Sequence, residues 1–376
     1  MNPLKQLQEY GQSIWMDDIR RSIIHDGTLD TLIERDGLRG ITSNPSIFQK
    51  AIAESDDYDD AIAKAVEAGQ GVDEMYEALV IEDIQNAADR FRPLFDGSDG
   101  KHGWVSLEVS PHLADDTDGT IDEARRLWQR LDRPNVFIKV PGTEAGLPAI
   151  TQLISEGINV NVTLLFGLPR YRRVIEAYLG GLEARANLKQ PLAPVASVAS
   201  FFLSRIDVKV DAMLDDIAEK ESGDKAELAR SLRGKVAVAS AKVAYQIYKE
   251  MFSAEHYLTL ESMGAQTQRA LWASTSTKDP SYSDVKYIEA LIGPDTVNTL
   301  PTETLDAYRD HGKPALRLEQ DIADAYACIE QLETLGIDLD QITYELEREG
   351  VEKFVKPFDS LMQTLKDAAE SAAPAS

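Results

Sequence analysis

The sequence predicts an α/β protein, a single (β/α)8 barrel of the TIM type with additional helices. Short apolar runs alternate with longer helical patterns, and eight such pairs follow one another along the chain. This alternation is typical of a parallel sheet, and eight strand–helix units close into a barrel. The length of 376 residues and a hydrophobic fraction of 43% suit one large core of this kind.

Eight strands are expected, each an apolar run bounded by turn residues. They are Ser13–Asp18, Gly40–Asn44, Gly103–Ser110, Asn135–Pro141, Ile158–Phe166, Val195–Phe201, Arg269–Thr275 and Thr296–Leu300. Runs this short that are rich in β-branched and aromatic residues favour strands over helices. For the seventh strand, Glu255–Met263 is an alternative segment.

Helical patterns follow every strand. They cover 20–36, 46–95 as several helices, 117–131, 143–155, 168–186, 203–220 with 225–252, 281–291, and 303–310 with 319–334 and 341–366. The barrel is expected to span 1–366, with helical insertions near 50–100 and 220–255. The Ala/Ser-rich segment 367–376 is expected to be a disordered tail, because it has little apolar surface to bury.

The charge balance restricts the kinds of partner. With 39 basic and 64 acidic residues the net charge is −25, which argues against nucleic acid and anionic membranes as partners. A phosphorylated ligand would therefore need a local cationic pocket. The single cysteine, Cys328, cannot form an intrachain disulfide and fits a reducing compartment. No apolar run is long enough to span a membrane and the N-terminus is not a signal peptide, so a cytoplasmic location is expected.

Several enzyme classes are disfavoured by missing motifs. Neither G-x-G-x-x-G nor G-x-x-x-x-G-K-[ST] occurs, which disfavours nucleotide-dependent chemistry. The five histidines are scattered without an H-E-x-x-H motif, which disfavours zinc hydrolysis. The acidic stretches 55–60 and 114–119 are interpreted as solvated helix starts, so no metal site is predicted.

A lysine inside the fourth predicted strand is the strongest chemical signal. Lys139 lies within the apolar run Val136–Val140, and burying an ammonium group is costly. A desolvated amine loses its proton more easily and then attacks carbonyls, so this strand indicates Schiff-base chemistry. Two other interpretations stay open on the strand alone, a lysine that extends from the strand end and one paired with a carboxylate.

Polar residues also end the other strands, at the rim where barrels of this class carry their active sites. Period-two alternation indicates which of them face inward. Asp17 shares a face with Ser13 and Trp15, whereas Asp18 falls on the outer face with Ile14 and Met16. The inward rim set is Asp17, Asn44, Glu108, Lys139, Thr163, Ser200 and Ser274. Taken singly, Asn44 or Ser200 is more often an internal hydrogen-bonding residue than a ligand contact.

These segments resemble the transaldolase family over roughly residues 3–366. Its two signature segments are matched by Gly40-Ile-Thr-Ser-Asn-Pro-Ser46 and Ile138-Lys-Val-Pro-Gly-Thr-Glu-Ala-Gly146, and other strands by Ser106-Leu-Glu-Val-Ser110 and Gly157-Ile-Asn-Val-Asn-Val-Thr-Leu-Leu-Phe166. The length and the segment Leu271–Pro280 are similar to the longer bacterial subgroup.

The resemblance implies a division of catalytic roles. Lys139 would form the Schiff base with C2 of a ketose phosphate, and Asp17 would take the C4 hydroxyl proton as the C3–C4 bond breaks. Glu108 and Thr163 would hold a water that moves protons during imine formation. The protonated imine is the electron sink, so neither a metal nor a cofactor is implied.

The resemblance also implies the substrate contacts. Asn44 and Asn161 would bind the hydroxyls of the dihydroxyacetone unit. The proposed phosphate end comprises Ser200, Phe202, Arg205, Ser274 and Lys278. The better-known short transaldolases have an arginine where this chain has Ser276, and Lys278 is the candidate replacement.

The expected function is transaldolase activity on sugar phosphates in the non-oxidative pentose phosphate pathway. The donors would be sedoheptulose 7-phosphate or fructose 6-phosphate, and the acceptors glyceraldehyde 3-phosphate or erythrose 4-phosphate. Two alternatives stay open: a fructose-6-phosphate aldolase that cleaves without transfer, and a catalytically silent sugar-phosphate-binding protein. Asp17 favours transfer, since the family's small aldolases tend to use a tyrosine as acid and base. Either a monomer or a homodimer is compatible with the sequence.

Overall fold

A closed barrel of eight parallel strands forms the centre of the molecule, in the order β1 to β8, which confirms the predicted fold class. The structure is a computed structural model and describes residues 2–372. The strands β1 to β8 are Gln12–Met16, Gly40–Ile41, Trp104–Glu108, Val136–Pro141, Val160–Leu165, Ser197–Phe202, Gln268–Ala273 and Thr296–Leu300. Since each strand pairs with the next one along the chain and β8 returns to β1, all eight carboxyl ends meet at one rim.

Two strands differ from expectation in an instructive way. β2 has only two residues, because after Thr42 donates its backbone N–H to Met16 O at 2.9 Å the chain leaves the sheet. Asn44 then caps the next helix rather than ending a strand. At the seventh position the strand is Gln268–Ala273, and the alternative segment forms the helix Glu255–Ser262, so that alternative is wrong.

Helices surround the barrel. In chain order α1 to α17 span Pro3–Gln6, Arg21–His25, Thr28–Thr31, Pro45–Ala53, Asp59–Glu67, Val72–Gly97, Thr117–Leu131, Gly146–Glu156, Leu168–Asn187, Ser204–Lys220, Asp224–Leu232, Val236–Phe252, Glu255–Ser262, Lys286–Ala290, Thr302–His311, Ile322–Thr334 and Leu339–Ala372. Short 3-10 turns lie at Leu7–Tyr10 and Pro111–Leu113, and a π-helical turn at Leu32–Asp36. Helices α4 to α6 and α11 to α13 occupy the regions of the two predicted insertions.

The last helix crosses the rim of the barrel. α17 contacts α4, α5, α6 and α10, which lie on widely separated sectors of the barrel, and it also contacts β5. It continues through Ala372, so the predicted start of a disordered tail at 367 is corrected; residues 373–376 lie outside the described part of the chain. Leu361 and Leu365, just before this segment, are fully buried, and Ala368 and Ala369 pack partly against the same core, so the helix continues past 367. Among the described residues, no helix combines the length and apolarity that crossing a bilayer requires.

Aromatic residues fill the barrel below the rim. The Phe137 ring stacks on Trp104 at 4.2 Å and on Trp15 at 6.1 Å between ring centroids. Gly40 is required at this layer, because a Cβ there would lie 2.7 Å from both the Trp15 ring and the Trp104 carbonyl oxygen. Phe137 and Lys139 share the inward face of β4, two residues apart. The rings of Phe137, Trp104 and Trp15 therefore fill the barrel interior directly below Lys139 and form its aromatic floor.

Candidate active site

A cavity of about 590 Å³ opens at the rim formed by the carboxyl ends of the strands. Most of the sequence-predicted site residues line it: Asp17, Asn44, Lys139, Ser200, Phe202, Arg205, Ser274 and Lys278. The other three are buried behind this lining. Glu108 is beside Lys139, Asn161 is beside Ser200, and Thr163 follows Asn161 on the same face of β5. Residues from seven strands or the loops after them are thus brought to one place.

Lys139 lies in a buried, charge-paired position. Its Nζ is 3.3 Å from Glu108 Oε2 and donates a hydrogen bond to the Ser43 carbonyl oxygen at 3.1 Å. The two charged side chains are only 5% and 4% exposed, so they interact in a low-dielectric environment. The pairing arises from the parallel register, which places Glu108 directly beside Lys139 on the adjacent strand. The lysine is therefore carboxylate-paired, and it also reaches the cavity.

Glu108 is adapted to exchange protons near neutral pH. The pKa of Glu108 is raised from 4.5 to about 7, because burial and, to a smaller extent, the Asp17 charge outweigh the lowering effect of Lys139. Glu108 Oε1 and Thr163 Oγ1 are buried without a hydrogen-bond partner among residues 2–372, whereas Glu108 Oε2 is paired with Lys139 Nζ. Buried polar atoms are ordinarily satisfied, so Glu108 Oε1 and Thr163 Oγ1 are each suited to bind a polar ligand or water.

The backbone at Thr163 is unusual. The β5–β6 register shifts between Val162 and Leu165, and Leu164 adopts φ of 54°, a left-handed conformation uncommon for a bulky residue. A Cβ at Gly350 of α17 would lie 3.0 Å from Leu164 Cδ2, so Leu164 points toward the crossing helix. The regular alternation of inward and outward side chains, from which an inward Thr163 was predicted, therefore ends at Leu164.

Asp17 and Asp18 have different environments. Thr42 Oγ1 donates to Asp17 Oδ1 at 2.7 Å and also contacts Thr299 Oγ1 at 2.7 Å. Burial raises the pKa of Asp17, while the Lys139 charge and the Thr42 hydrogen bond act to lower it. Asp18 instead forms an ion pair with Arg20 at 2.7 Å at the cavity mouth. Asp17 thus lies near Lys139, whereas Asp18, which the alternation placed on the outer face, also lines the cavity, where it is paired with Arg20.

A short chain of hydrogen-bonded polar side chains connects β6, β5 and β3 across the barrel interior. Ser200 Oγ donates to Asn161 Oδ1 at 2.7 Å, and Asn161 Nδ2 donates to Ser106 Oγ at 3.1 Å. Asn44 Oδ1 accepts the Ile47 backbone N–H at 3.1 Å as the N-cap of α4, which leaves its amide nitrogen available to a ligand. Internal partners therefore fix the orientation of Asn44 and Ser200, which line the cavity, and of Asn161 behind them.

The far end of the cavity holds a cation, Arg205, that forms no salt bridge among residues 2–372. Arg205 lies in the first turn of α10, and its Nη1 is buried without a hydrogen-bond partner in the described chain. Burial lowers the pKa of Arg205, although the charge of Glu349 acts to raise it. Ser274, with φ of 55°, contacts Ser204 through their hydroxyls at 2.7 Å, and Lys278 Nζ donates to Ser276 Oγ at 2.5 Å. A buried guanidinium at a helix N-terminus is suited to an anion such as phosphate.

Three site residues were missed from the sequence. Phe354 of α17 places its ring 5.7 Å from Lys139 Nζ, and no local pattern in the sequence predicts that contact. Thr299 at the end of β8 lines the cavity, and its polarity at a strand end was the available signal. Lys50 of α4 also lines the cavity, and nothing in the helical pattern around it predicts that position. Among the residues the structure describes, no group of three or more His, Cys, Asp or Glu side chains is placed to hold a metal.

Comparisons with known proteins agree across the chain. Residues 14–365 match the family described as Transaldolase/Fructose-6-phosphate aldolase. The chain is 50% identical to Transaldolase 2 of a Nostoc species over 378 residues, covering 100% of this chain and 99% of that protein. It is 47% identical to the transaldolase of Trichodesmium erythraeum, with 99% of each chain covered. It is 48% identical to the transaldolase of Thiobacillus denitrificans, covering 96% of this chain and 99% of that one.

Proposed function

The chain belongs to the transaldolase/fructose-6-phosphate aldolase family, and from that premise we propose that it is a transaldolase. The enzyme is a transferase that moves a dihydroxyacetone unit between sugar phosphates in the pentose phosphate pathway. Sedoheptulose 7-phosphate or fructose 6-phosphate is the donor, and glyceraldehyde 3-phosphate or erythrose 4-phosphate the acceptor. The observation that carries the proposal is Lys139, buried at the cavity 3.3 Å from the carboxylate of Glu108.

The first step forms the Schiff base. Lys139 Nζ adds to C2 of the ketose, and loss of the C2 oxygen as water gives the iminium. Protons must reach that oxygen and leave the amine, and a carboxyl group whose pKa is about 7 can do both near neutral pH. A water held by Glu108 and Thr163 would bind Glu108 Oε1 and Thr163 Oγ1, which lack hydrogen-bond partners in the described part of the chain. The aromatic floor of Phe137 and Trp104 closes the barrel below this point.

The second step breaks the carbon–carbon bond. Asp17 accepts the C4 hydroxyl proton, the C3–C4 bonding pair moves toward the iminium, and the aldose phosphate is released. The raised pKa of Asp17 makes it a better base, and its hydrogen bond from Thr42 fixes its orientation. The three-carbon unit stays on Lys139 as an enamine. Adding it to a second aldose phosphate reverses these steps, and hydrolysis of the new iminium releases the product ketose.

The remaining residues hold the substrate. Asn44 and Asn161 lie at the lysine end and bind the hydroxyls of the dihydroxyacetone unit, with Ser200 orienting Asn161. Arg205, Ser274 and Lys278 lie at the other end and bind phosphate, while Phe202 lines the space between the two ends. A local cation is needed there because the chain as a whole carries a charge of −25.

We also infer a cytoplasmic location, supported by the free thiol of Cys328.

Reductive trapping tests the chemistry. Borohydride added with fructose 6-phosphate should leave a stable adduct, and peptide mapping should place it on the peptide that contains Lys139. A product assay with and without erythrose 4-phosphate then separates transfer from simple cleavage. Sedoheptulose 7-phosphate formed only with acceptor supports a transaldolase. Rapid glyceraldehyde 3-phosphate release without acceptor would indicate an aldolase, and absence of any adduct would indicate a silent binding protein.

A further inference from the structure

The loop after β7 carries half of the phosphate end and is held by side chains from a different part of the barrel. Residues 274–285 include Ser274, Ser276 and Lys278, and they form neither a helix nor a strand. Four buried or half-buried residues hold the distal part of this loop against the outer helices. We call this set the loop clamp; it comprises Asp207, Asp211, Arg233 and Tyr282.

The Tyr282 hydroxyl is the centre of the clamp. It donates to Asp211 Oδ2 at 2.8 Å and accepts from Arg233 Nη1 at 2.7 Å. Arg233 Nη2 also donates to Asp279 Oδ2 at 2.7 Å, within the loop itself. Asp211 Oδ1 accepts the Gly234 backbone N–H at 2.8 Å. The loop is therefore joined at two residues to the segment that links α11 and α12.

Asp207 holds the C-terminal end of the loop. It is 2% exposed, and its Oδ2 accepts from Lys286 Nζ at 2.6 Å and Tyr287 OH at 2.9 Å. Its Oδ1 accepts the Ala237 backbone N–H at 2.8 Å, so both oxygens are used. Lys286 Nζ also lies 3.9 Å from the centroid of the Tyr282 ring. One buried carboxylate thus joins the loop end to both α10 and α12.

A glycine makes room for the clamp. Gly234 has φ of 71°, and a Cβ there would lie 2.7 Å from the Tyr282 ring. The ring therefore packs directly on the backbone between α11 and α12. Both the left-handed conformation and the close approach require glycine at this position.

The clamp acts on the same helix that carries the phosphate-binding arginine. Arg205, Asp207 and Asp211 all lie in the first two turns of α10. The near end of the loop is also tied to this helix, because Ser204 N donates to Ser274 O at 3.1 Å. The position of Lys278 relative to Arg205 is thus fixed at both ends of the loop by contacts to α10.

We propose that the loop clamp positions residues 274–278 opposite Arg205 and thereby sets the affinity of the cavity for the phosphate group of its substrates. Arg233 follows α11, so the helical insertion between β6 and β7 gains a specific role: it supplies the side chain that holds the phosphate loop. Clamp residues are positioning residues, since none of the four lines the cavity. This inference rests on the proposed function for its substrates.

Tyr282→Phe is the sharpest test, because it removes the hydroxyl shared by Arg233 and Asp211 while the ring stays on Gly234. We expect KM for fructose 6-phosphate to rise roughly five- to tenfold, about the effect of one net hydrogen bond, with KM for unphosphorylated fructose unchanged. The dissociation constant for inorganic phosphate should rise by the same factor. Tyr178→Phe is the matched control, since it also removes a tyrosine hydroxyl, bonded to Gln266 O at 2.8 Å on the outside of the barrel.

The outcomes separate the clamp from the proposed function. An unchanged ratio of the two KM values in Tyr282→Phe, or a change equal to that in Tyr178→Phe, overturns the clamp while leaving transaldolase activity in place. The dissociation constant for inorganic phosphate, compared between wild type and Tyr282→Phe, tests the clamp even if the wild-type enzyme transfers no dihydroxyacetone unit. Arg233→Lys, which keeps the charge but loses the forked geometry, should lie between wild type and Arg233→Ala in phosphate affinity. A wild-type protein that binds no phosphate would also refute the inference.

Discussion

The two ends of the cavity are built on different principles. Lys139, Glu108 and Asp17 lie on strands or directly after them, where the barrel register fixes each position. Arg205 and Lys278 lie on a helix start and a loop, whose positions depend on side-chain contacts from outside the barrel. The reacting end thus takes its geometry from the backbone, and the binding end takes it from a hydrogen-bonded network. Such loops can vary between related proteins without disturbing the reacting atoms.

The charged groups at the two ends of the cavity also differ in how they are paired. Lys139 has a buried carboxylate 3.3 Å away that can accept and return protons. Arg205 has no ion pair with a carboxylate among residues 2–372 and keeps a buried N–H group without a partner. A nucleophile must change its charge during the reaction, whereas a phosphate-binding group must keep it. The following experiments separate these two requirements, beginning with the largest effect.

Lys139→Ala should abolish both transfer and borohydride-dependent adduct formation, because no other group at this position can form the imine. The measurements are product formation and intact mass after trapping. Lys50→Ala is the matched control, a lysine that lines the same cavity from α4 and should trap substrate normally. An adduct at wild-type yield in Lys139→Ala would move the nucleophile elsewhere.

Asp17→Asn should slow C3–C4 cleavage by roughly 10²- to 10⁴-fold, the usual contribution of a general base, while adduct formation survives. Single-turnover release of the aldose phosphate measures this step. Asp18→Asn is the control, because Asp18 is paired with Arg20 and should affect cleavage far less. The opposite ranking of the two variants would reverse the assignment of the inward face.

Glu108→Gln should slow imine formation by roughly 10²-fold at pH 8, the lower end of general-base contributions. The pKa of Glu108 is about 7, so its proton-accepting carboxylate predominates above that pH and disappears below it. The wild-type trapping rate should therefore rise through pH 7, while the rate of Glu108→Gln should lack that rise. The difference between them should shrink toward pH 5. Parallel pH profiles for the two proteins would assign the titration to another group.

Arg205→Ala should raise KM for fructose 6-phosphate by roughly 10- to 100-fold, since a hydrogen bond to a charged group contributes about 1.5–3 kcal/mol. KM for unphosphorylated fructose should not change. Lys209→Ala removes the same charge one turn later on α10, where the lysine is paired with Glu345 and Glu349, and should have little effect. Equal weakening for both donors would give Arg205 a structural role.

Lys278→Ala should raise KM for fructose 6-phosphate only a few-fold, because the side chain is exposed and exposed charge pairs contribute about 1 kcal/mol or less. Steady-state kinetics with both donors measure the effect. A variant identical to wild type would leave Arg205 and Ser274 as the main phosphate contacts.

The sequence predicts the reacting end well because strand periodicity is a local signal. Each rim residue follows an alternation of polar and apolar side chains that spans only a few positions, as in Ser13, Trp15 and Asp17. Eight such runs in order were enough to predict the barrel. The alternation misses only what breaks the strand, such as the early end of β2 after Ile41 and the bulge that gives Leu164 a left-handed conformation.

The sequence could not predict contacts made by distant helices. Phe354 meets Lys139 across 215 positions of sequence, and the pattern around Phe354 is an ordinary amphipathic helix. Tyr282 and Asp211 are likewise separated by 71 positions. Such contacts depend on how whole helices pack against one another, and the local periodicity of a sequence does not predict that packing. The helical insertion near 220–255 was visible as a pattern, but its contact to the phosphate loop was not.

The helix that crosses the rim also has a consequence for the newly made chain. The barrel strands are complete at Leu300, but the ring that lies over Lys139 belongs to Phe354. At synthesis rates of about 5–20 residues per second, the ribosome needs roughly 3 to 11 s to add the segment between them. Until Phe354 has been added, the nascent chain lacks the ring that covers Lys139. The barrel strands therefore supply the reactive groups, whereas α17, which follows them in the chain, supplies the ring that covers Lys139.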